Sequence, residues 1–71
     1  MNHPNTKEQI LDTAERLFAH RGFHATSLRT ITGEAKVNLA SVNYHFGSKE
    51  ALLDAVFERR LTPLNRLRRE G

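Results

Sequence analysis

The chain has no cysteine in its 71 residues, which removes disulfides and thiolate metal sites as staples and permits a reducing compartment. No apolar run approaches the roughly 20 residues that a membrane-spanning helix needs. The first residues, Met-Asn-His-Pro-Asn-Thr-Lys, lack the apolar centre of a secretory signal, so a cytoplasmic protein is expected. No repeat and no low-complexity segment is present. No serine, histidine and acid fall into a recognisable catalytic set, and so short a chain leaves little room for a substrate cleft, so an enzyme is not expected. His20 and His24 have the look of a pair one helical turn apart, but Gly22 lies between them, and His3 and His45 offer no clear third ligand. Neither a metal nor another cofactor is expected.

One small domain fits this length, with a compact core and little surplus stability. The net charge is only +3, and its placement says more than its size. From Lys7 to Arg16 two basic residues stand against Glu8, Asp12 and Glu15. From Arg21 to Lys49 the chain has Arg21, Arg29, Lys36 and Lys49 against Glu34 alone. Glu50, Asp54 and Glu58 follow, and then Arg59, Arg60, Arg66, Arg68 and Arg69 oppose Glu70. A phosphate backbone would attract the middle and repel its acidic flanks. The plainer reading of such blocks is ordinary solvated surface.

Hydrophobic spacing predicts helices throughout. Ile10, Leu11, Ala14, Leu17 and Phe18 form one apolar stripe on a helix from Thr6 or Lys7 to about His20, with Thr6 and Gln9 placed as a capping box. Gly22 ends that helix, and Phe23 can fold back on the stripe. A second, short helix starts at Thr26 or Ser27 and turns Leu28, Ile31 and Ala35 inward. Gly33 inside it costs roughly 1 kcal/mol against alanine, so the helix depends on its neighbours. Lys36-Val37-Asn38 makes a turn, with Val37 plugging the angle and Asn38 capping a third helix over about Leu39 to Phe46. At about 100° per residue Val42 and Phe46 share its inner face. Ala40, Ser41 and Tyr44 point out, with His45 at one edge and Leu39 and Asn43 at the other. Gly47 stops that helix and Ser48 caps a fourth, whose stripe is Leu52, Leu53, Val56, Phe57 and Leu61. Pro63 cannot continue a helix without losing a hydrogen bond, so Thr62-Pro63 is read as the start of a further helix, with a kink as the alternative. Leu64 and Leu67 find too little chain to bury them there, and the piece reads as the severed start of something larger.

Two short helices joined by a turn of about three or four residues form a helix-turn-helix, whose second helix enters the DNA major groove. A bulky, heavily charged outer face would hold the backbone away from the base edges. Ala40 and Ser41 permit close approach.

These residues bring a resemblance into view. Ile10-Leu11-Asp12 with Ala14, Leu17-Phe18, Gly22-Phe23, Thr26-Ser27-Leu28-Arg29, Ile31, Val37, Ser41-Val42, Tyr44-His45-Phe46 and Ser48-Lys49-Glu50-Ala51-Leu52-Leu53 resemble, in order and spacing, the TetR family of bacterial regulators. The match covers residue 6 to about 58, and the run Val37 to Leu53 is most similar to a subgroup that includes the fatty-acid-responsive regulator of pseudomonads. The resemblance implies an all-α fold: a three-helix homeodomain-like bundle with a helix-turn-helix, then a fourth helix and the start of a linker helix. It divides the chain into a DNA-binding domain over 1–58 and a basic connecting segment over 59–71. The function it implies is operator reading for a regulator that usually represses. The family carries a further helical domain that dimerises and binds the inducer, so the full-length parent is expected to be a homodimer on a near-palindromic operator at the nucleoid. This fragment is expected to be monomeric or weakly associated.

By position, the resemblance makes Arg29 a base-reading arginine, able to grip guanine O6 and N7 with two bonds. Ser27 and Thr30 come within reach of phosphate or a base edge. Leu39, Ala40 and Ser41 open the reading helix, where the first two suit a thymine methyl. Asn43 is placed towards a base, Tyr44 and His45 towards phosphates, and Lys49 towards a phosphate at the start of helix four. The bland alternatives are a surface arginine paired with an acid for Arg29, a half-buried core residue for Tyr44, a core edge for Leu39 and a plain surface lysine for Lys49. Three positions depart from the family pattern. Lys36 stands where glycine is usual, which asks a lysine to turn left-handed at roughly 1–2 kcal/mol. Asn43 replaces a frequent aromatic residue. Leu39 and Ala40 make the reading helix unusually apolar. The Arg59–Arg69 cluster is read as the solvated face of a linker helix. Two rivals remain at this point: a complete small dimeric repressor of another helix-turn-helix type, separable by sizing, and a protein-binding bundle, whose binding would be nearly indifferent to salt.

Overall fold

The computed structural model describes residues 5–70, with side chains described over residues 5–61. Four helices follow in order: α1 (Thr6–Arg21), α2 (Leu28–Ala35), α3 (Leu39–His45) and α4 (Lys49–Glu70). The described residues contain no strand, and the fold is all-α, as expected.

The start of α1 differs from the expected capping box. Asn5 is the cap, and its Oδ1 accepts the Glu8 N–H at 2.8 Å, while Thr6 is already the first helical residue. Asparagine is among the best N-caps, and placed here it reaches the third free N–H directly. The apolar stripe is as read: Ile10, Leu11, Ala14, Leu17 and Phe18 are all buried. Gly22 ends the helix with φ 90° while its N–H still bonds to the Phe18 carbonyl. Phe23 then folds back, its ring 5.4 Å from that of Phe18.

Of the two residues read as caps for α2, Ser27 takes the role, with Oγ accepting the Thr30 N–H at 3.0 Å. Thr26 does something else. It is wholly buried, and its hydroxyl lies 2.8 Å from the Gly22 carbonyl and 3.3 Å from that of Leu17. One side chain thus ties the α1–α2 loop to the last turn of α1. Lys36 adopts φ 60°, ψ 47°, the left-handed conformation expected of it, and the Lys36 and Val37 N–H groups both reach the Thr32 carbonyl. The helix therefore closes as a glycine-capped one would, with a lysine in the glycine's place.

Helix α3 is one residue shorter than expected, because Phe46 serves as its C-cap. Asn38 sits at the N-cap and its carbonyl accepts the Ser41 N–H, but its side chain makes no capping bond. Gly47, at φ 95°, turns the chain, and Ser48 Oγ caps α4 by accepting the Ala51 N–H at 3.0 Å. The backbone of α4 stays helical through Pro63, so no new helix opens at Thr62-Pro63. A proline inside a helix removes one hydrogen bond of the ladder and crowds the carbonyl four residues back, which can bend a long helix without ending it. The side chains expected along that piece, Leu64, Leu67, Arg66, Arg68 and Arg69, lie outside the described residues.

Each helix gives the core a large, fully buried aliphatic side chain: Ile10, Ile31, Val42 and Leu52. Leu11, Ala14, Leu17, Phe18 and Val56 surround them. Each large aliphatic side chain fully buried stabilises by roughly 1.5–3 kcal/mol. Helix α1 packs against all three others and is the platform on which the α2–α3 pair is mounted.

Charge adds a second link between α1 and α4. The Arg59 guanidinium donates to Asp12 at 2.7 Å, to Glu8 at 3.1 Å and to Glu15 at 2.5 Å, and Arg60 also pairs with Glu15. Arg59 belongs to the cluster expected on the solvated face of a linker helix. It is instead half-buried among three carboxylates of α1. Burial opposes its charge, but the bonds to Asp12, Glu15 and Glu8 outweigh that and hold it above the ordinary guanidinium range. The bond from Arg59 is the largest influence on Glu15, whose carboxyl lies below its ordinary value against the opposing effect of burial.

Candidate nucleic-acid interface

The reading helix is anchored on one side only. Val42 is its single buried residue, and half-buried Phe46 helps from the C-cap. Most of the rest of α3 faces outward. Tyr44 is 85 % exposed and Leu39 50 % exposed. Ala40, Asn43 and His45 are exposed as well, while Ser41, expected on the outer face, is half-buried. The two figures decide between alternatives: Tyr44 is not a core tyrosine, and Leu39 is not a core leucine. Leu39 and Tyr44 thus stand exposed near the two ends of a seven-residue helix, as Phe57 and Leu61 do on α4.

Helix α2 presents the second group. Arg29 is exposed and has no ion pair or hydrogen bond through its side chain among the described residues. This removes the reading in which an acid neutralises it. The acid of the same helix, Glu34, is taken by Arg16 at 3.2 Å. The hydroxyls of Ser27 and Thr30 meet at 3.0 Å at the start of α2, so these two are brought together, with Ser27 also occupied as the cap. The Tyr44 and His45 rings meet edge to face at 5.1 Å.

Lys49 is the exception among the expected site residues. Its Nζ lies over the Phe23 ring, 4.3 Å from the centroid, so the first residue of α4 is tied to the α1–α2 loop. Sequence spacing implies only a packing role for Phe23. Nothing in local spacing could pair residues so far apart along the chain. An open apolar groove of about 590 Å³ also lies between α1 and α4, with Phe18, Phe23, Val56 and Phe57 among its walls.

A short α2, a turn closed by the left-handed Lys36 and an α3 with an exposed outer side have the layout of a helix-turn-helix. Comparison with known proteins agrees. Residues 10–56 match the family described as bacterial regulatory proteins, tetR family. The chain belongs to that family. It is therefore a helix-turn-helix domain of a family of DNA-binding transcriptional regulators. The HTH-type transcriptional repressor Rv3405c of Mycobacterium tuberculosis is 48 % identical over 58 residues, 82 % of this chain and 31 % of the relative. The probable HTH-type transcriptional regulator YttP of Bacillus subtilis is 40 % identical over 50 residues, 70 % of this chain and 24 % of the relative. HTH-type transcriptional regulator UidR of Escherichia coli K12 is 35 % identical over 51 residues, 72 % of this chain and 26 % of the relative. The matched stretch thus spans about a quarter to a third of the length of these relatives. Among the described residues no helix is long and apolar enough to cross a membrane.

Proposed function

We propose that this domain is the operator-reading head of a TetR-type transcriptional regulator, a repressor, acting in the cytoplasm at the nucleoid. The observation that carries the reading is the outer side of α3: Leu39 and Tyr44 stand in water on a helix held to its bundle by Val42 and Phe46. In this reading α3 lies in the major groove with Leu39, Ala40, Ser41 and Asn43 towards the base edges. Arg29, unpaired on α2, reaches a guanine. Ser27, Thr30, Tyr44, His45 and Lys49 meet phosphates along the two rims of the groove.

Residues 1–58 form the reading head, and 59–71 connect it to a further domain that dimerises and binds the inducer. The greater length of the relatives supports this division. Two heads on the parent homodimer occupy successive half-sites of a near-palindromic operator. The single head binds weakly and does not respond to an inducer, because it contacts few phosphates and lacks the paired geometry.

Fluorescence anisotropy with labelled duplexes, read against salt, tests the reading. The affinity is expected to fall steeply with rising salt, and amide shifts on adding duplex are expected to concentrate on α3 and the start of α2. Binding indifferent to salt, or shifts that leave Leu39–His45 untouched, overturns it. A selection of random duplexes by the dimeric parent then yields the operator.

A further inference from the structure

We propose that Phe23 is a positioning residue for DNA binding: its ring seats the Lys49 ammonium and holds it ready for a backbone phosphate. The inference rests on the phosphate role given to Lys49 above and adds a residue that the helix-turn-helix does not contain.

Phe23 is held from two sides. Its ring packs at 5.4 Å from Phe18, which belongs to the core, and His24 meets it edge-on at 5.4 Å. The residue is half-buried against these rings. The Lys49 ammonium sits 4.3 Å from the ring centroid, inside the distance of about 6 Å at which a cation is attracted to an aromatic face. A free lysine loses much of its rotamer freedom when it grips a phosphate. Over Phe23 that loss has already been met on folding. The ring takes up only one side of the ammonium. A π face accepts no more than weak hydrogen bonds, and the remaining N–H groups stay available to oxygen acceptors outside. Lys49 is only half-buried, as this requires.

The test uses the chain itself and a duplex of arbitrary sequence, since a phosphate contact does not depend on the operator. Phe23→Leu keeps apolar bulk but removes the π face, and Lys49→Gln removes the charge. Phe23→Leu is expected to weaken binding about two- to fivefold at low salt, the range that a partly exposed cation–π contact spans. In the Lys49→Gln background the same change is expected to cost nothing further. Lys49→Gln is also expected to lower the slope of log K against log salt by about 0.9, the equivalent of one phosphate. Phe23→Trp retains a π face and is expected to bind like the parent, so a poorly folded leucine variant does not end the test. The Lys49 ε-methylene protons, shielded by the ring in the parent, are expected to move downfield in Phe23→Leu and not in Phe23→Trp. Equal penalties for Phe23→Leu with and without Lys49, or a tryptophan variant as weak as the leucine one, overturn the role of Phe23 and leave DNA binding standing. A parent that binds no duplex at low salt overturns the proposed function itself.

Discussion

Arg29 and Lys49 carry the same charge, yet their surroundings set them to different tasks. Arg29 projects from α2 with no acid to hold it, and its planar fork matches guanine, so in the proposed function it reads sequence. Arg29→Ala is expected to relax preference at one base position, by about 1–3 kcal/mol of lost discrimination. Lys49→Ala is expected to weaken all duplexes alike. Competition binding with single-position operator variants separates the two, and a flat profile for Arg29→Ala removes it from base reading. Thr26 makes a third residue-scale case, this time in the fold. Its buried hydroxyl serves the Gly22 and Leu17 carbonyls, and valine fills the same space without a donor. Thr26→Val is expected to cost about 1–2 kcal/mol. In a domain of this size that lowers the melting temperature by about 4–8 °C per kcal/mol. An unchanged melting curve shows that the loop is tied down by packing alone.

At the scale of elements, the ends of helices were more legible than the links between them. Ser27, Ser48, Gly22, Gly47 and the left-handed Lys36 could be read because caps and turns depend on residues within a few positions. The apolar stripes could be read for the same reason. Asn5 was missed because Thr6 offered an equally plausible cap one residue later. The Arg59 clamp and the Lys49–Phe23 contact were missed because their partners lie far away in sequence, where spacing carries no signal. Charge blocks read as flanks that repel phosphate are partly consumed inside the molecule, as Glu8, Asp12 and Glu15 show. Tyr44, Ala40 and Arg29 stand out as expected, but Ser41 is half sheltered, because it lies about 100° round the helix from buried Val42, at the edge of the inner face.

Two element-scale changes follow from these links. Lys36 holds φ 60° on a Cβ-bearing residue. Lys36→Gly relieves strain of roughly 1–2 kcal/mol, partly offset by the greater freedom of glycine in the unfolded chain. The expected net gain is about 0.5–1 kcal/mol, seen as a higher urea midpoint at unchanged slope. Arg59→Met cuts the α1–α4 clamp and is expected to cost about 1–2 kcal/mol at neutral pH, between the exposed and buried limits for ion pairs. The clamp also gives a pH signature. Glu15 titrates below its ordinary value in the folded chain, so the unfolded chain takes up its proton first. The stabilisation is complete above the ordinary carboxylate range and is lost as pH falls through the lowered folded value. Urea midpoints of the parent should therefore drop on acidification below about pH 4.5, and those of Arg59→Met should drop less. Parallel pH profiles for the two proteins exclude a clamp that acts through Glu15.

In the proposed function the domain brings one helix, one arginine for guanine and a handful of phosphate contacts to DNA, which sets a low ceiling on its affinity for any single half-site. If the proposed function holds, affinity comes from pairing two heads at the spacing of successive major grooves, about 34 Å. Geometry can therefore be supplied without the natural dimer. A flexible Gly/Ser linker has a root-mean-square span of about 5–6 Å times the square root of its length, so roughly 40 residues match that separation. Two copies of the chain joined by such a linker are expected to bind a duplex carrying two facing half-sites about 10²–10⁴ times more tightly than one copy does. The same tandem on a duplex with one half-site scrambled should lose most of that gain. A linker of about 8 residues, with a root-mean-square span near 15 Å, should also lose it. Gel-shift titrations of the four combinations check this, with salt held fixed because the phosphate contribution varies steeply with it. A tandem that gains as much on the scrambled duplex is binding by charge alone, and α3 then reads no sequence.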